Sequence, residues 1–398
     1  MLYKKNYENG FMKNQMKKIL IIHNKYRLTG GEDIVVRNEI SKLKKIYNVK
    51  VIYFDNTIQN YIKQSFYFLL NSNLESIKIV KKELKYFNPD LVYVHNLWFT
   101  GSPSVLKLLK KRNIKTIIKF HNFRYFCTRT FFIRKHVKKN VPCKACSLTR
   151  NSFQFFNKYY KDSYLRSLLV CRFGVKYFKI LNNSNFNILV LTQHHKNFLE
   201  ENNFKNSNIH VLPNFINLPE FNSQVNDDKY IVYAGRISQE KGVQELIETF
   251  LSCDIKNFNL KIVGSGPELI KLKLKYKDQR VIFLGDKSNI ETLKLIKGSI
   301  CVITATKLFE GQPTLLCEAS LLKKPSIFPN IGGIKEFFPE NYSLMFEYND
   351  YLDLSKKLLM LQEENTTEKI GIQNYNFIKS LLKDSDYELK IQNFMSVV

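Results

Sequence analysis

Residues Glu310–Ala319 read Glu-Gly-Gln-Pro-Thr-Leu-Leu-Cys-Glu-Ala. The segment sets one carboxylate in a turn containing glycine and proline, and a second eight positions on inside a helix. Pro313 suits the first helical position, where its missing N–H costs nothing. Glu310 then sits just ahead of the helix and Glu318 about a turn and a half into it. The free amides of a helix N-terminus carry partial positive charge and accept a diphosphate readily. Two carboxylates for hydroxyl groups, flanking a helix end for phosphate, fit a sugar nucleotide. At about 1.5 Å per residue the two acids would lie about 12 Å apart. A retaining glycosidase holds its pair at about 5 Å, so these acids read as binders of one long ligand and not as an acid–base couple. Taken alone, the same residues also describe an exposed helix face with two solvated acids.

Working outward, Gly235-Arg236 ends an apolar run and Lys241-Gly242 opens the helical stretch after it. A strand-end arginine and a lysine five positions on can converge on a diphosphate leaving group and stabilise its developing charge, a task other enzymes give to a divalent metal. Gly264-Ser265-Gly266-Pro267 follows the next run as a tight turn. In the first half, Thr29-Gly30-Gly31-Glu32 joins a strand to a helix, and glycine there lets backbone amides approach a phosphate or sugar. His121 stands at the end of the run Thr116–Phe120, at the carboxyl edge where α/β sheets bind ligands. A neutral imidazole there can accept or donate a hydrogen bond. His95, at the end of Leu91–His95, suits packing as well as acceptor shaping.

Apolar runs alternate with helical patterns throughout, the form of βαβ units and parallel sheets. First-half strands are expected at Lys18–His23, Val49–Phe54, Leu91–His95, Thr116–Phe120 and Ile188–Thr192, with a helix over Glu32–Tyr47. Second-half strands are expected at Tyr230–Ala234, Leu260–Val263, Val281–Leu284, Ile300–Thr304, Pro325–Phe328 and Ser343–Phe346. This predicts an α/β chain of two doubly wound, Rossmann-like domains facing a central cleft. The expected boundaries are 16–216 for the first domain, 217–228 for a linker and 229–369 for the second. Residues 1–15 read as an upstream extension or a mis-assigned start, because Met16 begins Met-Lys-Lys-Ile-Leu-Ile-Ile-His.

Glu-x7-Glu-Ala with Gly-x-Pro-Thr between the acids, preceded by Gly-Arg-x4-Lys-Gly, resembles the donor site of the retaining GT-B glycosyltransferases of family 4 (group 1), of the capsule and surface-polysaccharide type. The resemblance runs over nearly the whole chain from Met16. It implies that Arg236 and Lys241 hold the donor diphosphate, Glu318 the ribose and Glu310 a hydroxyl of the transferred sugar. It also implies donor contacts at Gly31, Thr314 and Leu315, and binding of the sugar at the reaction centre by His121. His121 and Glu310 are thus the candidate catalytic pair. The implied donor is a UDP- or GDP-sugar, with no cofactor or catalytic metal required. A helix at about 370–396, within residues 370–398, is expected to pack back toward the first domain. Other GT-B sugar-nucleotide enzymes, an epimerase or a phosphorylase, share this architecture.

Cys127, Cys143 and Cys146 form Cys-x15-Cys-x2-Cys directly after His121. A Cys-x2-Cys suits a structural zinc, which needs four ligands. The stretch His121–Ser163 resembles a capsule-type branch in which a further cysteine precedes Tyr-x-x-Ser. Tyr159 takes that place here, leaving Cys171 or His136 as substitutes, or ordinary buried thiols as the alternative. Seven cysteines without a secretory signal point to a reducing compartment. The balance of 62 basic to 35 acidic residues gives a net charge of +27. A basic residue bias, nucleic acid, or an anionic membrane face carrying a lipid-phosphate acceptor would each account for it. No zinc-finger, RNP or helix-turn-helix signature supports nucleic acid. Dense patches such as Lys107–Arg112 gather in the first half. The expected setting is therefore cytoplasmic, peripheral on the inner membrane face, with a polyprenyl-diphosphate-linked or other glycan as acceptor.

Overall fold

The computed structural model describes residues 17–25, 31–56, 66–67, 69–123, 163–202, 204–205, 208–220, 229–255, 257–363 and 365–397. Its strands are short apolar runs, parallel because helices cover both faces of each sheet. The first sheet comprises β1 (Lys18–Lys25), β2 (Asn48–Asp55), β3 (Leu91–Asn96), β4 (Thr116–Phe120), β5 (Asn187–Val190) and β6 (Ile209–Val211), in the order β2-β1-β3-β4-β5-β6. The second comprises β7 (Tyr230–Ala234), β8 (Asn259–Val263), β9 (Val281–Gly285), β10 (Cys301–Ile303), β11 (Ser326–Pro329) and β12 (Met345–Phe346), in the order β12-β11-β10-β7-β8-β9. Winding reverses at β1/β3 in one sheet and at β7/β10 in the other, and these reversals open the crevices where α/β folds take ligands. The sequence reading finds all of these strands except β6, whose three residues form only the outermost edge.

The first domain carries α1 (Gly31–Leu43), α2 (Leu74–Tyr86), α3 (Pro103–Lys111), α4 (Tyr164–Asn182) and α5 (Gln193–Glu201). The second carries α6 (Val243–Ser252), α7 (Leu269–Lys275), α8 (Asn289–Gly298), α9 (Thr314–Leu321), α10 (Tyr351–Leu359) and α11 (Thr366–Leu381), and α12 (Asp384–Val397) follows. Polar caps fix several of these starts. Asn73 accepts from the Glu75 and Ser76 amides ahead of α2. Ser288 and Glu291 form a reciprocal capping box on α8.

Alternation along the first-sheet strands separates two cores. Leu20, Val92, Ile118 and Val190 face α2–α5. Ile19, Ile21, Tyr93 and Leu189 face the other way, against Val36 and Ile40 of α1 and against Tyr387, Ile391 and Met395 of α12. The expected single C-terminal helix is therefore two helices. Ile370 and Ile378 of α11 bury into the second-domain core, whereas α12 belongs to the first domain, so the chain must turn between them, at Leu382–Lys383. The expected linker also shifts, since Ile216 and Leu218 already pack on the second core. Residues 221–228, like residues 1–16, lie outside the described residues.

Under α1 the first domain buries an ion pair. Glu39 meets Lys119 of β4 at 3.0 Å, both side chains fully shielded from solvent. The Tyr93 and Tyr387 hydroxyls donate to Glu39 Oε1 at 2.8 and 2.6 Å. Burial alone would raise the Glu39 pKa. The Lys119 charge and the bonds from Tyr387, Tyr93 and Lys119 outweigh it and hold the carboxyl below its ordinary value. Through Tyr387 this network fastens α12 to the first domain.

Candidate active site

The second-domain half of the site grows from the β7/β10 reversal. After β10 the chain runs through Thr306 to Glu310 before entering α9, and the turn Gly235–Arg236 leaves β7 alongside it. Glu310 Oε1 lies 2.5 Å from the Lys241 ammonium, with each side chain 27% exposed. The same oxygen accepts from the Thr306 hydroxyl at 3.2 Å. Lys241 ends a short 3₁₀ turn, Gln239–Lys241, and Gly242 at φ +66° caps it before α6. A Cβ at Gly242 would stand 2.0 Å from the Ala305 carbonyl oxygen, so glycine is needed to bring Lys241 beside the β10 exit loop. Gly264 has a similar reason: a Cβ there would meet the Gly235 carbonyl oxygen at 2.1 Å. The Gly-x-Gly-Pro turn thus buttresses the Gly235–Arg236 turn. Arg236 is solvent-exposed and, among the described residues, has no ion-pair partner.

Pro313 is the residue before α9, with φ −82° and ψ 83°, and the helix opens at Thr314. The expected first helical position is thereby moved by one residue, because the Pro313 ψ has not yet entered the helical well. Thr314 faces the other domain: an ideal Cβ on Gly31, at the start of α1, would stand 3.5 Å from the Thr314 hydroxyl. Two helix N-termini, one from each domain, therefore meet at the cleft. Leu315 packs on the second core. Glu318 is half-buried within α9. Burial pushes its pKa up to about 7 against the opposing effect of a hydrogen bond from Asn289.

The first-domain half contains His121, directly after β4, whose carbonyl oxygen lies 4.0 Å from an ideal Cβ on Gly311. Its imidazole Nε2 is 3.1 Å from Nδ1 of the buried His95. Burial, with His95 and Lys119 close by, holds His121 well below the usual histidine range. Burial with Lys119 and His23 does the same for His95. Both rings are therefore neutral at pH 7. Asn122 reaches Glu32 of α1 at 3.4 Å, and His23 Nε2 meets Asp33 at 2.8 Å.

The loop bearing Glu310 also makes the domain contact. Phe309 packs on both cores, with ring centroids 5.7 Å from Phe123, 6.0 Å from His194 and 5.8 Å from Phe198. Gln312 exchanges two hydrogen bonds with the Asn214 backbone, one of them Nε2 to the carbonyl at 3.1 Å. Gly333 donates to the Glu310 carbonyl at 2.9 Å. A few residues on, Glu336 accepts from the amides of Gln193 and His194 at 2.7 and 2.6 Å. A carboxylate from one domain thus caps α5 of the other, a favourable charge at a helix N-terminus.

Of the residues singled out in the sequence, Gly31, Lys241, Glu310 and Thr314 come together at the cleft. His121 joins the Glu310–Gly311 turn through its backbone. Arg236 lies on the turn that leaves β7, and Glu318 lies within α9. Sequence reasoning missed Thr306, Phe309, Gln312, Asn289 and Glu336. Phe309, an aromatic directly beside the motif, and Gln312, within it, carried a local signal. Cys127, Cys143, Cys146, His136 and Tyr159 lie outside the described residues. Cys171 is buried, and no described group of three or more His, Cys, Asp or Glu side chains is arranged for a metal. No described helix is long and apolar enough to cross a membrane.

Comparison with known proteins agrees with this architecture. A family model described as glycosyl transferases group 1 matches residues 215–377, and one described as glycosyltransferase family 4 matches residues 47–220. The chain is 25% identical over 160 residues to the capsular polysaccharide biosynthesis glycosyltransferase CapM of Staphylococcus aureus, covering 38% of this chain and 42% of that protein. It is 28% identical over 190 residues to the amylovoran biosynthesis glycosyltransferase AmsD of Erwinia amylovora, covering 44% and 53%. The matched regions thus span about half or less of these relatives. Among solved structures, sucrose-phosphate synthase from Thermosynechococcus elongatus superposes with a TM-score of 0.72 at 15% identity, covering 96% of this chain and 98% of that one. Anabaena HepE, solved with UDP and glucose, gives 0.66 at 14% identity, covering 96% and 100%. These likenesses establish the GT-B fold. With one family model on each domain, in order, the chain belongs to the group 1, family 4 glycosyltransferases.

Proposed function

We propose that this protein transfers a sugar, with retention, from a nucleoside-diphosphate sugar to a glycan acceptor in surface-polysaccharide synthesis. The observation that carries the reading is the Lys241–Glu310 pair at the β7/β10 reversal, facing the meeting point of the α1 and α9 N-termini. An ammonium, a nearby arginine and two helix N-termini with their partial positive charge suit a diphosphate. The carboxylate beside them suits a sugar hydroxyl. On donor binding Lys241 exchanges Glu310 for phosphate oxygens, Arg236 closes on the same group, and Glu310 turns to the sugar. Glu318 accepts from the ribose, Gly31, Thr314 and Leu315 line the donor, and His121 serves the sugar at the reaction centre. The bond from the anomeric carbon to phosphate breaks as the acceptor oxygen bonds on the same face, and the acceptor proton passes to the departing phosphate. No protein nucleophile and no catalytic metal are required, since Arg236 and Lys241 offset the leaving-group charge.

The names of the curated relatives support surface polysaccharide as the product class, and HepE with UDP supports a uridine donor as the first to try. The basic first domain supports an anionic membrane face and a polyprenyl-diphosphate-linked acceptor. Flotation with anionic vesicles checks this: binding at low salt that is lost at high salt is expected, and no binding at either salt would refute it.

The deciding experiment is thermal stability against UDP-, GDP-, ADP-, TDP- and CMP-linked sugars without metal. One donor at 100 times its Kd should stabilise the fold by about 2.7 kcal/mol. The shift should vanish in Lys241→Ala, and transfer should vanish in Glu310→Ala while the protein stays folded. Near-normal turnover in either variant would overturn the site. A shift with an oligonucleotide and with no donor would overturn the function.

A further inference from the structure

The geometry points to His95 as a positioning residue that fixes the tautomer of His121 and makes it a hydrogen-bond donor toward the sugar. This rests on the reading that His121 serves the sugar. Both rings are neutral, and the two nitrogens that face each other at 3.1 Å can share only one proton. Two arrangements satisfy that bond. Either His95 Nδ1–H donates to His121 Nε2, or His121 Nε2–H donates to His95 Nδ1.

The far nitrogen of His95 separates them. His95 is 1% exposed, and its Nε2 is buried with no hydrogen-bond partner among the described residues. Its neighbours are the ring of Tyr93, centroids 4.4 Å apart, and the ring of His23, 6.2 Å away. The Tyr93 hydroxyl is committed to Glu39. In the second arrangement the remaining His95 proton sits on Nε2, a buried N–H with no acceptor within hydrogen-bond distance among the described residues, the likewise unpartnered His23 Nδ1 included. In the first, Nε2 is a bare lone pair, and orphaned buried acceptors are tolerated more readily than orphaned N–H groups. The first arrangement is therefore the stable one, and it sends the His121 proton to Nδ1. With its Nε2 lone pair engaged by His95, His121 has no basic nitrogen to offer. The ring can donate from Nδ1 but cannot act as a general base, which agrees with a reaction in which the leaving phosphate takes the acceptor proton.

Long-range ¹H–¹⁵N correlation of the labelled full-length protein reads the tautomer directly, with His121 signals assigned by their loss in His121→Ala. His121 as the Nδ1–H tautomer is expected in the parent. In His95→Phe it should pass to the Nε2–H form or a mixture. kcat should fall about ten-fold there, the effect of losing one aligned hydrogen bond, with donor KM little changed. His95→Asn, whose amide nitrogen takes the place of Nδ1, should keep the Nδ1–H form and most of kcat. An Nε2–H tautomer in the parent, which needs no variant to observe, overturns the proposal, as does an unchanged tautomer in His95→Phe. A fully active His121→Ala enzyme would instead overturn the role of His121 at the sugar, and with it the kinetic half of the proposal, while the tautomer result stands separately.

Discussion

Replacing Lys119 with methionine tests the energetics of the first domain. The side chain is fully buried and meets Glu39 at 3.0 Å, so its removal leaves a buried carboxylate with only the Tyr93 and Tyr387 hydroxyls for company. Breaking one side of such a pair costs about 3–5 kcal/mol. The assay is urea unfolding followed by fluorescence of Trp98, the single tryptophan of the chain, which is 3% exposed in the first-domain core. The loss should depend on pH with a definite sign. In the parent the Glu39 pKa is depressed, so its contribution is present above the unfolded carboxyl value and is lost as pH falls through the folded one. Without Lys119, burial dominates and the carboxyl pKa rises. The variant's penalty is then complete above that raised value and is relieved on acidification. The gap between parent and variant should therefore narrow from about pH 8 to about pH 5.5. Adding Glu39→Gln should recover much of the loss, because the double variant buries no charge. A deficit below about 1 kcal/mol at pH 8, or one that does not change with pH, would refute this account of the pair.

The remaining predictions concern the cleft. Glu318 has its pKa raised to about 7 by burial, so the folded protein holds that proton more tightly than the unfolded chain and the carboxylate form becomes available only as pH rises through 7. Donor affinity measured by calorimetry should therefore climb several-fold between about pH 6 and pH 8 and stay flat in Glu318→Gln; a flat parent profile would remove Glu318 from the donor. Phe309→Ala empties a half-buried ring position between the domains and should cost about 2 kcal/mol, less than for a fully buried phenylalanine. It should also enlarge the radius of gyration seen by small-angle scattering; an unchanged radius would mean that the other interface bonds suffice.

The double-sheet architecture was legible because parallel strands buried on both faces, such as Leu91–Asn96, read as unbroken apolar runs bounded by turns. Boundaries slipped where ends are set by contacts distant in sequence. The separation of α11 from α12 depends on which domain each helix buries into, and periodicity alone does not reveal that. Glu310, Lys241 and Thr314 were legible because glycine and proline beside them mark the turns that aim them. The Lys241–Glu310 bond was not, since the sequence assigned Lys241 to phosphate and Glu310 to a hydroxyl group and carried no sign that the two side chains meet. His95 and His121 stand at adjacent strand ends, and only the sheet order β3-β4 turns two isolated histidines into a pair. Glu336 left no local trace at all: its partners are backbone amides of the other domain.

The position of α12 has a consequence for how the protein comes into being. Tyr387, Ile391 and Met395 complete a core whose other members lie between Ile19 and Phe215. A ribosome working at about 5–20 residues per second leaves the end of β6 roughly 176 residues, or about 9–35 s, before it reaches Tyr387. Throughout that interval the nascent first domain has one face of its sheet incompletely covered and Glu39 short of one hydroxyl donor. The second domain, by contrast, has all of its core residues in hand by Ile378. The domain begun first is thus finished last, and the apolar face it shows during synthesis is the one a chaperone would meet.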